Sequence, residues 1–184
     1  MADNDLPLTE IRTARLVLRR WRAEDRAPFA SMNADPEVME FFPMPMTREA
    51  SDGFADRIER EFDVYGYGLY AVDVQEDFAG FVGLSPLPLT SDLEIGWRLA
   101  RRFWGKGFAT EAAIAVLEHA FTNLGISDVV SVTARSNLRS QRVMQRIGMT
   151  HDPADDFEHP NIPEGHPLRP HVMYRGSAGS WRPP

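Results

Sequence analysis

Apolar and polar residues alternate over residues 15–21 (Arg-Leu-Val-Leu-Arg-Arg-Trp), and this two-residue period predicts a first strand. Ala23-Glu24-Asp25 opens a short helix that carries Phe29 and Met32. Asp35-Pro36-Glu37-Val38-Met39 predicts another helix start, with Asp35 as cap and Pro36 at the first helical position, ended by Pro43 and Pro45. Thr47 caps a third helix, in which Ala50, Phe54, Ile58 and Phe62 recur at helical spacing. Gly66 and Gly68 punctuate before two apolar runs, residues 69–74 and 79–84, joined by a Glu76-Asp77 turn as the arms of a hairpin. Residues 93–99 form the next strand. Residues 109–124 form an amphipathic helix on Ala112, Val116, Ala120 and Leu124, with Gly125 as its stop. Residues 128–134 are strand-like, and Asn137 caps a helix carrying Leu138, Val143, Met144 and Ile147 that stops at Gly148. Residues 151–170, rich in Asp, His and Pro, read as loop, residues 171–175 as a last strand, and residues 177–184 as a flexible tail. The expected fold is mixed α/β (α+β type), one domain over residues 1–176 with a strand–helix–strand unit at its centre.

Composition narrows the function classes. The chain has 184 residues, 43% apolar and 26% charged, which suits one globular domain. It has no cysteine, which excludes disulfides, thiolate metal sites and a cysteine nucleophile. A formal charge of -7 argues against a nucleic-acid partner. No apolar stretch approaches the roughly 18 residues of a membrane span, and the acidic, polar start (MADNDLPLTE) is unlike a secretion signal. The expectation is a cytoplasmic protein with no membrane partner. Of 20 basic residues 19 are arginine, a bias that coding preference explains, and the only lysine is Lys106.

That lysine lies in the chemically richest segment, Arg101-Arg102-Phe103-Trp104-Gly105-Lys106-Gly107-Phe108-Ala109-Thr110-Glu111, between a strand and a long helix. Close glycines let backbone amides converge, and the helix start behind them offers unpaired N–H groups and a positive dipole end. Such a turn suits phosphate or pyrophosphate. The NTPase loop G-x-x-x-x-G-K-[ST] fails, because Gly107 follows Lys106 and position 100 is alanine. The dinucleotide fingerprint also fails, with Thr110 in place of its third glycine and Asp128 opening the next strand rather than ending it. The pattern [R/Q]-x-x-G-x-[G/A] is met by residues 102–107; alone, it is equally a glycine-rich turn.

Its context is more specific. The turn follows Glu94-Ile95-Gly96-Trp97-Arg98-Leu99 and precedes, after one helix and one strand, Asn137-x-x-Ser140-x-x-Val143-x-x-Arg146-x-Gly148-Met149. In these three motifs, in order and at normal spacing, the chain resembles the GNAT superfamily of acyl-CoA-dependent N-acetyltransferases, most closely the branch of the ribosomal-protein N-terminal acetyltransferases. The R-L-x-L-R and D-P-E-V-M segments fit the same branch, so the resemblance spans residues 12–174. It implies a GNAT fold, a twisted sheet of six to seven strands flanked by helices, with splayed central strands. It implies acetyl-CoA as acyl donor and a primary amine, of a protein N-terminus or a small molecule, as acceptor, in a monomer or homodimer. Backbone groups of Trp97, Arg98 and Leu99 would pair with the pantetheine amides like an added strand. Residues Arg102, Trp104, Gly105, Lys106, Gly107, Phe108, Ala109 and Thr110 would hold the pyrophosphate, and Asn137 would both cap its helix and contact the cofactor.

By the same resemblance the amine attacks the thioester directly in a ternary complex, which needs a base, oxyanion stabilisation and a proton for the thiolate. Glu94 is the candidate base, with an ordinary strand residue as the alternative. Ser140 is the candidate proton donor and cofactor contact, with an ordinary first-turn serine as the alternative; no tyrosine stands between Tyr70 and Tyr174 to take that role.

The acceptor side carries less signal. Trp21, Phe41, Phe42, Tyr65, Tyr67 and Phe81 could line it, or simply fill the core. His159, His166 and His171 with Asp155, Asp156 and Glu158 match no zinc spacing, so no metal is expected. The 151–170 loop is read instead as closing over the acceptor, its acidic residues facing a cationic amine. Residues 98–146 sum to +5 and the rest of the chain to -12, a division that suits an anionic cofactor and a cationic acceptor. The rival functions are a non-catalytic acyl-CoA-binding module and a metal-dependent hydrolase built on the histidine loop.

Overall fold

The computed structural model describes residues 10–182. Residues 1–9, most of the start read above as unlike a secretion signal, and the last two residues of the expected tail lie outside it. The elements are β1 (Glu10–Arg12), β2 (Val17–Arg19), α1 (Arg26–Ala34), α2 (Arg48–Tyr65), β3 (Leu69–Val74), β4 (Asp77–Pro86), β5 (Leu93–Leu99), α3 (Phe108–Thr122), β6 (Asp128–Ala134), α4 (Leu138–Arg146), β7 (Thr150–His151), β8 (Phe157–Glu158) and β9 (Pro170–Ser177). They form one sheet ordered β1-β2-β3-β4-β5-β6-β9-β7, with β8 also paired to β9.

The expected mixed α/β sheet is present, with nine strands rather than six or seven among the described residues. The additions, β1, β7 and β8, are only two or three residues long, too short for any alternation to mark them. The helix expected after Asp35 is absent: residues 36–41 form turns. Asp35 makes the expected cap, its Oδ1 accepting from the Glu37 amide (2.9 Å), and Met39 N–H bonds Asp35 O (3.0 Å), but this single turn is not continued; Met46 N–H returns to Asn33 O (2.9 Å), folding the proline-bounded segment into a loop. The hairpin turn lies one residue earlier than expected, at Gln75 and Glu76, whose positive φ values (52° and 69°) make a tight two-residue connection.

Caps follow the sequence. Thr47 Oγ1 accepts from Ala50 N–H (3.2 Å), and α2 ends at Gly66 with φ 75°. Where a flexible tail was expected, residues 177–182 leave β9 and bring Trp181 into the core. Its ring packs on Phe121 (5.5 Å between centroids) and its Nε1–H donates to Ile147 O (2.6 Å).

Residue alternation assigns the two faces of the sheet. Ile95, Val129 and Tyr174 look toward α3 and α4, where Gln145 donates to the Tyr174 hydroxyl (3.2 Å). Phe81 looks the other way, packed by Phe29 of α1 and Phe54 of α2 at 6.1 and 5.7 Å. A buried ion triad ties β2 to β3. Arg19 Nε and Nη2 donate to Asp73 (2.6 and 2.7 Å), and Nη1 and Nη2 donate to Asp25 (2.8 and 2.9 Å). Nη1 also reaches Arg20 O (3.0 Å), so all five guanidinium N–H groups have acceptors. Hydrogen bonding to Asp25 above all raises the Arg19 pKa still further.

Candidate active site

The sheet is closely paired on both sides of β5 and β6 and open between them. The β4–β5 and β6–β9 pairs are antiparallel with seven registered positions each. The parallel β5–β6 pair has one, Glu94 opposite Val130. Beyond that point the two strands diverge, so the backbone of Trp97, Arg98 and Leu99 has no registered partner on the β6 side. The expected splay is therefore present. An extended chain can add to such an unpaired strand edge.

The glycine turn lies at the open end. Gly105 and Gly107 have φ of 74° and 81°, and a Cβ on Gly105 would meet nothing within 4 Å. Only glycine takes these conformations freely, and at 105 it leaves the backbone open to a ligand. The Glu111 N–H is bonded to Gly107 O (3.0 Å), leaving the amides of Phe108, Ala109 and Thr110 without partners inside α3. Trp104 Nε1–H donates to Leu99 O (2.7 Å), tying the turn to the end of β5. Lys106 is exposed, and Arg102 leans toward Asp77 (3.9 Å) at the hairpin turn rather than toward the splay.

Arg15 supports this turn, a role its place in an alternating strand pattern does not reveal. Its Nε donates to Glu111 Oε2 (2.7 Å), its Nη1 to Lys106 O (3.0 Å), and its guanidinium lies 4.7 Å from the Phe108 ring centroid. Thr13 Oγ1 donates to Glu111 as well (2.6 Å). Desolvation would raise the Glu111 pKa, but these hydrogen bonds outweigh it and hold the carboxyl low.

Glu94, Gly96 and Arg98 share the β5 face that looks away from α3 and α4. Glu94 is partly exposed, yet enough protein surrounds its carboxyl that desolvation raises the pKa to about 7, with the Val132 amide pulling weakly the other way. A Cβ on Gly96 would meet nothing within 4 Å, which leaves the floor between Glu94 and Arg98 clear. Burial pushes the Arg98 guanidinium down to about 10.

Asn137 caps α4 as expected, accepting from Ser140 N–H (3.2 Å). Its Nδ2 donates to Thr133 Oγ1 (2.9 Å) and Ser140 Oγ (3.1 Å), so both amide hydrogens are committed. Because Ser140 Oγ accepts there, its own hydrogen stays free to donate elsewhere.

The 151–170 segment reaches the same face as Glu94 through Phe157, paired with His171, whose rings lie 5.5 Å apart. Three of its acidic residues, Asp155, Asp156 and Glu158, do not face an acceptor as free carboxylates. Asp155 pairs with Arg175 (2.6 Å), Asp156 with Arg135 (3.4 Å) and His151 (2.7 Å), and Glu158 with Arg169 (3.2 Å). The imidazoles of His159 and His171 are 4.8 Å apart, and desolvation lowers the pKa of both. Among the described residues no group of three or more His, Asp or Glu side chains could hold a metal ion, and no helix is long and apolar enough to cross a membrane.

Of the aromatic acceptor-side candidates, Phe81 is core and Trp21 donates to Leu69 O (2.7 Å). Tyr65 and Tyr67 stack on each other (5.8 Å). Phe41 and Phe42 lie on the 35–46 loop, which bridges to both ends of the splay. There Glu37 pairs with Arg101, and Glu40 with Arg139 (2.5 Å).

Comparisons with known proteins agree with this geometry. The family described as "Acetyltransferase (GNAT) domain" matches residues 15–150. The "FsC-acetyl coenzyme A-N(2)-transacetylase" of Aspergillus fumigatus is 32% identical over 152 residues, which cover 77% of this chain and 65% of that protein's length. A solved acetyltransferase from Agrobacterium tumefaciens superposes with a TM-score of 0.77 at 26% identity, covering 96% of this chain and 98% of the other. RimL, a ribosomal L7/L12 alpha-N-protein acetyltransferase solved with coenzyme A, shares the fold with a TM-score of 0.75 at 18% identity, covering 91% and 97%.

Proposed function

Because the chain belongs to the GNAT acetyltransferase family, whose acyl donor is acetyl-CoA, we propose that it transfers that acetyl group to a primary amine by direct attack in a ternary complex. The observation that carries this reading is the opening of β5 from β6 beside Glu94, with the glycine turn at the far end of the same strand. The residues fit the donor. The β5 edge at residues 97–99 has no registered strand beside it and, Leu99 O apart, which Trp104 Nε1–H occupies, offers its backbone groups to an extended arm, and the amides of residues 105–110 offer hydrogen bonds to a pyrophosphate. Bound acetyl-CoA supplies the activated carbonyl.

The chain's own side chains handle the protons. An ammonium acceptor is not nucleophilic, so a proton must leave it. Glu94 takes that proton, directly or through water, and its raised pKa places it near the optimum for a base at neutral pH. Ser140, held by Asn137 with its hydroxyl hydrogen free, gives a proton to the departing sulfur. The name of the A. fumigatus relative, an N(2)-transacetylase, supports an amine as acceptor.

Ser140→Ala is expected to lower kcat by about 10²-fold, the low end for losing a positioned acid. Titration calorimetry of the variant with acetyl-CoA reads its cofactor contact separately from turnover. Full turnover by the variant with intact binding would remove Ser140 from the reaction.

A further inference from the structure

Arg19, buried, and Arg98, partly exposed but with its Nε enclosed, sit in surroundings that differ in kind. Arg19 has all five N–H groups bonded and two carboxylates beside it. Arg98 donates from Nη1 to the neutral Asn33 Oδ1 (2.7 Å), with Met46 Sδ at 3.9 Å. Its Nε–H is buried without a partner, and no carboxylate among the described residues pairs with it. Aromatic rings take the place of a counter-charge, with its Cζ 4.2 Å from the Phe42 centroid, 5.5 Å from Phe81 and 5.8 Å from Phe54. A guanidinium largely enclosed by neutral groups without an anion is costly to a fold, and structural arginines ordinarily avoid it.

Its position gives that cost a use. Arg98 and Glu94 lie on one strand face, four residues and so about 13 Å apart between Cα atoms, with the clear floor of Gly96 between them. A proton acceptor stands at one end and an unneutralised cation at the other. Only two features of an acceptor answer both: an amine toward Glu94 and an anion toward Arg98.

We propose that Arg98 anchors a carboxylate carried by the acetyl acceptor, so that the site takes small amino acids rather than purely cationic amines or the N-terminus of a folded protein. This rests on the reading of the site as an N-acetyltransferase centre. The guanidinium fork matches a carboxylate with two parallel N–H···O bonds, and the rings around it exclude water from the pair. Phe42, 41% exposed on the 35–46 loop, closes the pair from the solvent side. A polyamine would instead bring a second positive charge against an unneutralised one. A peptide N-terminus would bring a neutral carbonyl.

The test compares free amino acids with their methyl esters, which keep the amine and lose the anion. Thiol release from acetyl-CoA by the intact chain is the readout. The acid is expected to exceed its ester by at least about tenfold in kcat/KM, most of it in KM, as expected when a site built for a hydrogen-bonding group meets an analogue lacking it. In Arg98→Gln the difference should shrink to about twofold at most; Arg98→Lys should restore part of it. Equal use of acid and ester by the wild-type chain overturns the proposal and needs no variant, so a poorly folded Arg98→Gln cannot obscure the answer. An equal loss on acid and ester in well-folded Arg98→Gln also overturns it, by reducing Arg98 to a packing role. Thiol release with esters or peptides but not acids refutes the carboxylate anchor while leaving amine acetylation standing. No thiol release with any amine refutes both.

Discussion

Glu94→Gln is expected to lower kcat/KM by about 10²- to 10⁴-fold, the range for removing a positioned general base, while acetyl-CoA still binds. Glutamine keeps the shape and cannot take a proton. The wild-type pH profile should carry the signature of the same group. Burial raises the Glu94 pKa to about 7, and the ionised form is the base. Below pH 7 the carboxyl is therefore mostly protonated and inactive, and kcat/KM climbs as pH rises through 7. In the variant that limb should vanish, leaving only the ionisation of the acceptor amine. Initial rates of thiol release from pH 5.5 to 9 check both points. A variant within about threefold of wild type, far short of a lost base, would assign Glu94 to the sheet alone.

The largest effect on stability is expected at Arg19. Arg19→Met keeps much of the apolar stem but leaves Asp25 and Asp73 buried beside each other, 3% and 7% exposed, with their shared cation gone. Breaking a buried pair by removing one partner costs about 3–5 kcal/mol, a large part of the roughly 5–15 kcal/mol that holds a domain folded. Urea denaturation should show the midpoint falling with little change in slope. A loss below about 1 kcal/mol, the value of an exposed pair, would mean that water reaches the triad. The contrast with Arg98 is instructive. Arg19 joins β2, the turn after it and β3, so its removal should unfold the chain. The Arg98 guanidinium meets only neutral groups among the described residues, Asn33 Oδ1, Met46 Sδ and three aromatic rings, so its removal should change what the site binds.

Features held by neighbours in sequence were readable from the chain. The glycine turn, the Asn137 cap, the stop at Gly148 and the strands over 69–74, 93–99 and 128–134 all depend on contacts within a few residues, and each stands where the pattern placed it; α3 ends at Thr122, two residues short of the expected Leu124, and β2 spans only 17–19 of the expected 15–21. The splay between β5 and β6 came from resemblance rather than from periodicity, because alternation is the same in a paired and an unpaired strand. Contacts between distant residues were not readable. Arg15 grips Glu111 from 96 positions away, and Asn33 meets Arg98 across 65. The 35–46 segment makes its cap and one helical bond, Met39 N–H to Asp35 O, yet the next bond, Phe42 N–H to Met39 O, spans only three residues and the helix goes no further. Asp155, Asp156 and Glu158 read as a cation site from the sequence because their arginine partners, Arg175, Arg135 and Arg169, lie elsewhere in the chain or are unmarked by any spacing. For Arg98 the motif drew attention to its backbone, and only the surroundings of its side chain revealed a cation without an anion.

The central claim is acetyl transfer to an amine, and one measurement addresses it most directly: release of free CoA from acetyl-CoA by the purified chain against a panel of amino acids, polyamines, amino sugars and N-terminal peptides, with the acetylated product identified by mass. Thiol release that depends on the amine, matches the N-acetyl product mole for mole and persists with a chelator present is the predicted result. Tight binding of acetyl-CoA with no thiol release for any amine would contradict the account and make the chain an acyl-CoA-binding module.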